Sequence, residues 1–204
     1  MNEFDKMIEL TLGRTNYYKL QNIKIGIAGA GGLGSNCAFN LVRSGFKNFI
    51  ISDFDNVELS NLNRQFYFFD QIGKSKVEAL KENLKKINPD LTIELFNGRI
   101  EEDNILNVFK DCDIIVEAFD TAEYKKMLVE KILPTKILIV SASGICGYGK
   151  SDDIIVHQIK DNLSIIGDLK TSSDHFAPIS PRINIAAAKQ ANVILEYILD
   201  QPTL

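Results

Sequence analysis

Residues 23–55 read IKIGIAGAGGLGSNCAFNLVRSGFKNFIISDFD, and the fold turns on them. IKIGIAG (23–29) is an apolar, β-branched run ending in glycine, the pattern of a strand buried on both faces. LGSNCAFNLVRSG (33–45) places Leu33, Cys37 and Leu41 on one helical face with Ala38 and Val42 beside them, and Gly45 is suited to end the helix. FKNFIISDFD (46–55) is a second buried strand whose acids sit at its carboxyl end. Strand, glycine turn, helix, strand and acid fall within about 30 residues, which is one βαβ unit of a nucleotide-binding fold.

The alternation continues outward. SKVEALKENLKKINPD (75–90) sets Val77, Leu80, Leu84 and Ile87 at helical spacing, with Pro89 beyond the helix end. LTIELFN (91–97), DIIVEAFD (113–120) and KILIVSASG (136–144) read as strands, separated by helical ILNVFKD (105–111) and TAEYKKMLVEKIL (121–133). The expected fold class is therefore α/β: a doubly wound, mainly parallel, Rossmann-like sheet ordered 3-2-1-4-5. After residue 150, DIIVHQI and LSIIGD around KDN predict an antiparallel hairpin, added at the sheet edge or folded over it. A polar loop, LKTSSDHFAPISP (169–181), leads to a final helix from Pro181 to Leu199, with Ile185, Ala188, Asn192, Leu195 and Leu199 read as one face. One domain spanning 1–204 is expected: an N-terminal helical segment (1–20), a nucleotide-binding core (21–150) and a C-terminal extension (151–204).

With 204 residues, 45% hydrophobic and 25% charged, the chain has the make-up of an ordinary globule. No apolar run approaches the roughly 20 residues that span a bilayer, and MNEFDKMIELTLGR lacks the basic end and apolar block of a leader, so the expectation is a cytoplasmic protein without a membrane partner. A net charge of −4 gives no basic field for gathering phosphate backbones, which argues against a nucleic-acid partner. Cys37, Cys112 and Cys146 lie far apart, and no pair has the spacing of a zinc or redox motif; all three read as small packing residues.

Gly29, Gly31 and Gly34 have the spacing that lets backbone N–H groups and a helix N-terminus face phosphate, and Gly32 adds a position without a side chain. Asp53 stands where an acid accepts hydrogen bonds from ribose hydroxyls. NAD and ATP both satisfy these features. The next residues discriminate. Asn61 and Arg64 are three apart, so a short helical turn would put both on one face, and an arginine offers a forked donor to phosphate. The alternative is a surface arginine paired with Asp53 or Asp55. Lys76 opens the next helix, where its charge adds to the helix N-terminus, although Lys74 competes for that role. Asp120, ending the fourth strand beside the glycine turn, reads as a Mg2+ ligand, since a carboxylate near a triphosphate needs a cation between them. The alternative is a helix N-cap. GKSK (73–76) is no Walker loop, because Phe68 occupies the position of its first glycine.

GAGGLGS, SDFDNVELSNLNRQ, GKSKVEAL and EAFD, in this order and spacing, resemble the ThiF/MoeB adenylyltransferases, bacterial relatives of ubiquitin-activating enzymes. The likeness is greatest to the short ThiF-like sulfur-carrier adenylyltransferases, and it runs from about residue 20 through APISPRINIAAAKQANVILEYIL. It implies ATP phosphates on the turn from Gly31 through Gly32 and Leu33 to Gly34, ribose on Asp53 with Asp55 close by, phosphate on Asn61, Arg64 and Lys76, and Mg2+ on Asp120. It also implies a homodimer, with Arg14 the candidate for an arginine that reaches into the partner's site. Longer members bind zinc through two CxxC pairs that this chain lacks, so no zinc is expected. Some members carry a cysteine in the loop before the last helix, and here that loop has none; Cys146 lies after the fifth strand instead.

The implied reaction is adenylylation of the Gly-Gly carboxylate of a small ubiquitin-fold sulfur carrier, releasing pyrophosphate, with thiamin biosynthesis favoured by resemblance alone. A carboxylate with a pKa near 3.5 is ionised at neutral pH, so no general base is needed, and His157 and His175 are left structural or solvated. The rivals are an NAD-dependent oxidoreductase, an inactive docking module, and adenylylation of another carboxylate on a molybdopterin-type carrier, a peptide or a modified tRNA.

Overall fold

A computed structural model describes residues 1–200; the last four residues of the expected 151–204 segment lie outside the described residues. Seven strands form one sheet: β1 (Lys24–Ala28), β2 (Asn48–Asp53), β3 (Thr92–Asn97), β4 (Ile114–Glu117), β5 (Leu138–Ala142), β6 (Ile155–Lys160) and β7 (Leu163–Gly167). Their order is β3-β2-β1-β4-β5-β7-β6. Every pairing is parallel except β6 with β7, which is antiparallel. The doubly wound sheet read from the sequence is thus present, with its hairpin joined at the edge through β7.

Side-chain alternation along the strands explains the two covered faces. Ile114 and Val116 of β4 point into one apolar cluster, together with Ile25 and Ile27 of β1. Helices α2 (Arg14–Gln21), α3 (Gly32–Arg43), α4 (Lys76–Lys85) and α7 (Ser180–Leu199) supply residues to that cluster. Ile115 of β4 and Ile139 of β5 point the other way, against Ile105 of α5 (Ile105–Val108) and Leu128 and Ile132 of α6 (Ala122–Ile132). A further helix, α1 (Glu3–Leu12), precedes α2 and joins the body through Asp5, which is buried and accepts from Lys47 Nζ at 2.8 Å and Asn88 Nδ2 at 2.9 Å.

Two local differences from the sequence reading matter. β4 stops at Glu117, leaving Ala118–Asp120 as irregular backbone beyond the strand. In α7 the buried residues are Arg182, Ile183, Ala186, Ala187, Gln190, Ala191, Ile194 and Ile198; of the expected face, Ala188 and Asn192 are exposed, while Ile185, Leu195 and Leu199 are half-buried. The helix is apolar on most of its circumference, so periodicity alone does not orient it. Small side chains decide instead, because Ala186, Ala187 and Ala191 let the helix lie close against the core that α3 shares. Among the described residues no helix is long and apolar enough to cross a membrane.

Candidate nucleotide site

The carboxyl ends of β1, β2 and β4 open onto a cavity of about 870 Å3, at the point where strand order reverses between β1 and β4. Gly29, Gly31, Gly32, Leu33, Asp53, Asp55, Arg64, Lys76 and Asp120 all line it. Gly34, Asn61 and Arg14 do not.

The glycine turn is built by close approach. Gly29 has φ +100°, and a Cβ there would stand 2.8 Å from the Ala118 carbonyl, just beyond the end of β4. Gly34 lies beneath the turn, where a Cβ would run into the carbonyl oxygen of Gly29, so its role is to let α3 pack against β1 rather than to meet a ligand. Gly31 is the N-cap of α3, which turns the free N–H groups of that helix toward the cavity. The Asp53 carboxylate braces the same turn. It accepts from Ala30 N at 2.7 Å and from Asp55 N at 2.9 Å. Burial pushes its pKa above the usual carboxylate value, with Lys76 and those two backbone donors acting against the rise.

Lys76 is 6% exposed at the first position of α4 and is paired with Asp55 Oδ2 at 2.7 Å, while its backbone N–H donates to the Asp55 carbonyl at 2.9 Å. Asp55 is half exposed, so it holds a nearly buried cation at the cavity wall. Lys74 instead pairs with Glu82 at 3.0 Å and does not line the cavity. Arg64 donates to the Ser60 carbonyl at 3.0 Å and to Asn63 Oδ1 at 2.7 Å, and among the described residues it forms no ion pair with Asp53 or Asp55. Its guanidinium is therefore positioned by its own loop and keeps its charge uncompensated.

Asn61 is brought to the short helical turn at Leu59–Asn61, but its side chain faces inward: Oδ1 accepts from Glu58 N at 3.0 Å and caps that turn. Its backbone carbonyl in turn receives Arg64 N at 3.1 Å, which makes Asn61 a support for Arg64. Asp120 is exposed at the cavity, three residues beyond β4, and the N-cap of α6 is Thr121, so the capping alternative for Asp120 is not what the structure shows. Arg14, at the start of α2, has a side chain 78% exposed and 3.9 Å from Glu9. Within one chain it is not brought to the cavity.

Several residues that hold the site are not distinguishable in the sequence. Ser35 Oγ donates to the Gly31 carbonyl at 2.7 Å and accepts from Phe66 N at 3.0 Å; Asn36 Nδ2 donates to the Arg64 carbonyl at 2.8 Å. Tyr67 OH bonds the carbonyls of Ala30 at 2.7 Å and Lys76 at 3.2 Å. Burial, with the Asp53 charge, pushes the Tyr67 phenol up, so it remains a donor. These three side chains tie turn, arginine loop and lysine helix into one unit. Glu117, fully buried at the end of β4, accepts from Ser141 Oγ at 2.6 Å, Lys125 Nζ at 3.0 Å and Phe119 N at 2.8 Å, which fixes the backbone leading to Asp120. The only visible traces are polar residues inside apolar runs.

The opposite wall consists of residues 143–146, after β5, and 171–174 in the long loop. Cys37 and Cys112 are buried packing residues, and burial raises the Cys112 thiol to about 12. Cys146 differs from them, being half-buried in the cavity wall. Burial raises its thiol too, against the opposing charges of Arg64 and Arg182.

A SUMO-activating enzyme subunit 2 from Dictyostelium discoideum is 35% identical over 150 residues, covering 72% of this chain and 22% of that protein. A molybdopterin-synthase adenylyltransferase from Haemophilus influenzae is 34% identical over 62% of this chain and 53% of its own length. The chain thus spans between about a fifth and a half of these curated relatives. The E. coli tRNA N6-threonylcarbamoyladenosine dehydratase TcdA, solved with AMP, shares the fold at TM-score 0.84 and 18% identity, with 95% of this chain and 93% of that one covered. E. coli MccB with ATP has TM-score 0.76 at 23% identity, covering 97% and 64%. The ThiF family profile matches residues 5–202, nearly the whole sequence. The resemblance first seen in four short motifs therefore holds across the fold, and the chain belongs to the ThiF family.

Proposed function

We propose that the chain is an adenylyltransferase that joins AMP to a carboxylate, with residues 1–204 working as one unit. The observation that carries this reading is the convergence of Arg64, Lys76 and Asp120 on the glycine turn within one cavity. A nicotinamide requires neither cation nor carboxylate there, whereas a triphosphate is served by all three.

In the reaction, a carboxylate oxygen attacks the α-phosphorus of ATP, a new P–O bond forms, and the bridging P–O bond breaks with its electron pair leaving on pyrophosphate. No proton has to move. Catalysis is then alignment and charge neutralisation. The α3 N-terminus receives phosphate oxygens, and Asp53 keeps lone pairs for ribose hydroxyls beside its two backbone donors. Lys76 exchanges Asp55 for phosphate over a short reach, and Arg64 offers its guanidinium to the same oxygens. Asp120, an exposed carboxylate in the same cavity as the anion-binding turn, fits Mg2+, which takes one or two protein carboxylates and completes its shell with phosphate and water. That ion would supply charge neutralisation on the leaving pyrophosphate.

The acceptor side is the wall at 143–146 and 171–174. That wall faces the glycine turn across the cavity, which suits it to receive the flexible Gly-Gly end of a ubiquitin-fold carrier. The names of the SUMO and molybdopterin-synthase relatives support a carrier as substrate, and resemblance to the ThiF-like sulfur-carrier adenylyltransferases alone favours a thiamin sulfur carrier, met in the cytoplasm. A tRNA substrate is the second reading, supported by the fold shared with TcdA. The exposed Arg14 leaves a homodimer as the arrangement in which it would reach a nucleotide, that of a partner.

ATP–pyrophosphate exchange tests the reading. Asp120→Ala and Arg64→Ala should each keep the fold and lower exchange by about 10²-fold or more. Wild-type exchange in both variants would remove their roles. In the same assay, Gly-Gly-ended carrier and tRNA are compared as acceptors, and mixing Arg14→Ala with Asp120→Ala chains should recover activity if Arg14 serves the partner's site.

A further inference from the structure

We propose that Asp168 and Arg182 form a positioning knot that sets the acceptor wall of the cavity, acting on the carboxylate substrate and leaving the nucleotide half alone. The inference rests on the adenylylation reading above. Arg182, in the first turn of α7, is 2% exposed. Its NH2 donates to Asp168 Oδ2 at 2.6 Å and reaches the Gly144 carbonyl at 3.4 Å; its NH1 donates to the carbonyls of Gly149 at 2.9 Å and Lys150 at 3.0 Å. One buried guanidinium therefore ties together the loop after β5, the start of the long loop after β7, and the last helix.

Asp168 carries this order into the cavity. Its Oδ1 accepts from Lys170 N and Thr171 N, both at 2.8 Å, and from Thr171 Oγ1 at 3.2 Å. Thr171 is the first cavity-lining residue of the long loop, and Ser172, Ser173 and Asp174 follow it. Gly144, on the facing segment, sits so close that a Cβ would meet the Asp168 carboxylate. Farther along, Gly147 N donates to the Ala177 carbonyl at 3.0 Å, closing the two segments over the cavity. None of these contacts touches the glycine turn, Asp53 or Lys76. The knot's own hydrogen bonds thus all lie on one wall, and α7 meets the glycine turn through a different residue, Ile183, which packs against Gly32.

The charge balance favours the same arrangement. Burial acts to raise the Asp168 pKa, but the amides of Thr171 and Lys170, the Thr171 hydroxyl and Arg182 outweigh it, leaving the carboxyl below its usual value. Ionised Asp168 can accept from all four donors at once, whereas an asparagine keeps the volume but loses the charge and one acceptor.

The test uses Asp168→Asn and Arg182→Lys in the full chain. Calorimetry gives the Kd for MgATP, and pyrophosphate exchange gives KM and kcat with a recombinant ubiquitin-fold protein ending in Gly-Gly. Trypsin cleavage after exposed Lys170 reports the loop directly. The expected result is a MgATP Kd within twofold of the parent, acceptor KM raised at least tenfold, kcat within about threefold, and cleavage after Lys170 at least tenfold faster. An unchanged KM, a Kd and KM that rise together, or unchanged cleavage would overturn the proposal. So would failure of both variants to fold, since the pair would then serve the fold and not the wall. Failure of the parent chain to bind MgATP would fell the adenylylation reading first, and with it this one, while the cleavage result would still report whether the knot orders the loop.

Discussion

At the scale of single residues, the site depends on positions where one added atom matters. Gly34 is the sharpest case, because a methyl group there has only the Gly29 carbonyl to enter. Neither partner can yield without disturbing β1 or α3, so Gly34→Ala should cost at least about 3 kcal/mol, the upper end for overpacking. Chemical denaturation of the variant checks this, and a loss below about 1 kcal/mol would show that the helix can slide. The glycines were legible in the sequence because backbone geometry restricts those positions to one residue type. The short turn at Asn61 was legible but the orientation of its side chain was not, since a side chain that caps its own turn and one that faces a ligand leave the same spacing.

Among elements, α3 and α7 show what pattern reading resolves and what it leaves open. The apolar stripe of α3 is flanked by polar positions, and Leu33, Cys37, Ala38, Leu41 and Val42 are buried as their period implies. α7 has no such contrast, and its buried side is chosen by close packing of alanines. Neighbouring positions therefore make a paired experiment. Ala187→Leu, at a fully buried position, should cost about 1–3 kcal/mol, whereas Ala188→Leu, at an exposed one, should stay within about 0.5 kcal/mol. Equal losses in both variants would place the helix in a different rotation. Contacts such as Tyr67 to Ala30 and Glu117 to Ser141 were not legible at all, because they join residues far apart in the chain and require only an unremarkable polar side chain at each end.

For the whole molecule, strand order could be foreseen from the alternation of strands and helices, because the chirality of βαβ connections leaves few ways to lay down five parallel strands. The edge position of the final hairpin could not, since its alternation fits a strand pair beside the sheet as well as one over it. A molecule built this way should respond to its nucleotide as a unit. At MgATP one hundred times its Kd, binding stabilises the fold by about 2.7 kcal/mol, which for a chain of this length raises the melting temperature by roughly 5–10 °C. NAD at equal concentration should give no such shift, and a larger shift with NAD would reverse the assignment of the cleft.

The cavity has two walls of separate ancestry in the chain: residues 29–76 furnish most of one, and residues 143–174 furnish the other. On the adenylylation reading, replacement of the later stretch would redirect the protein to a new recipient while the half that handles the nucleotide stays as it is.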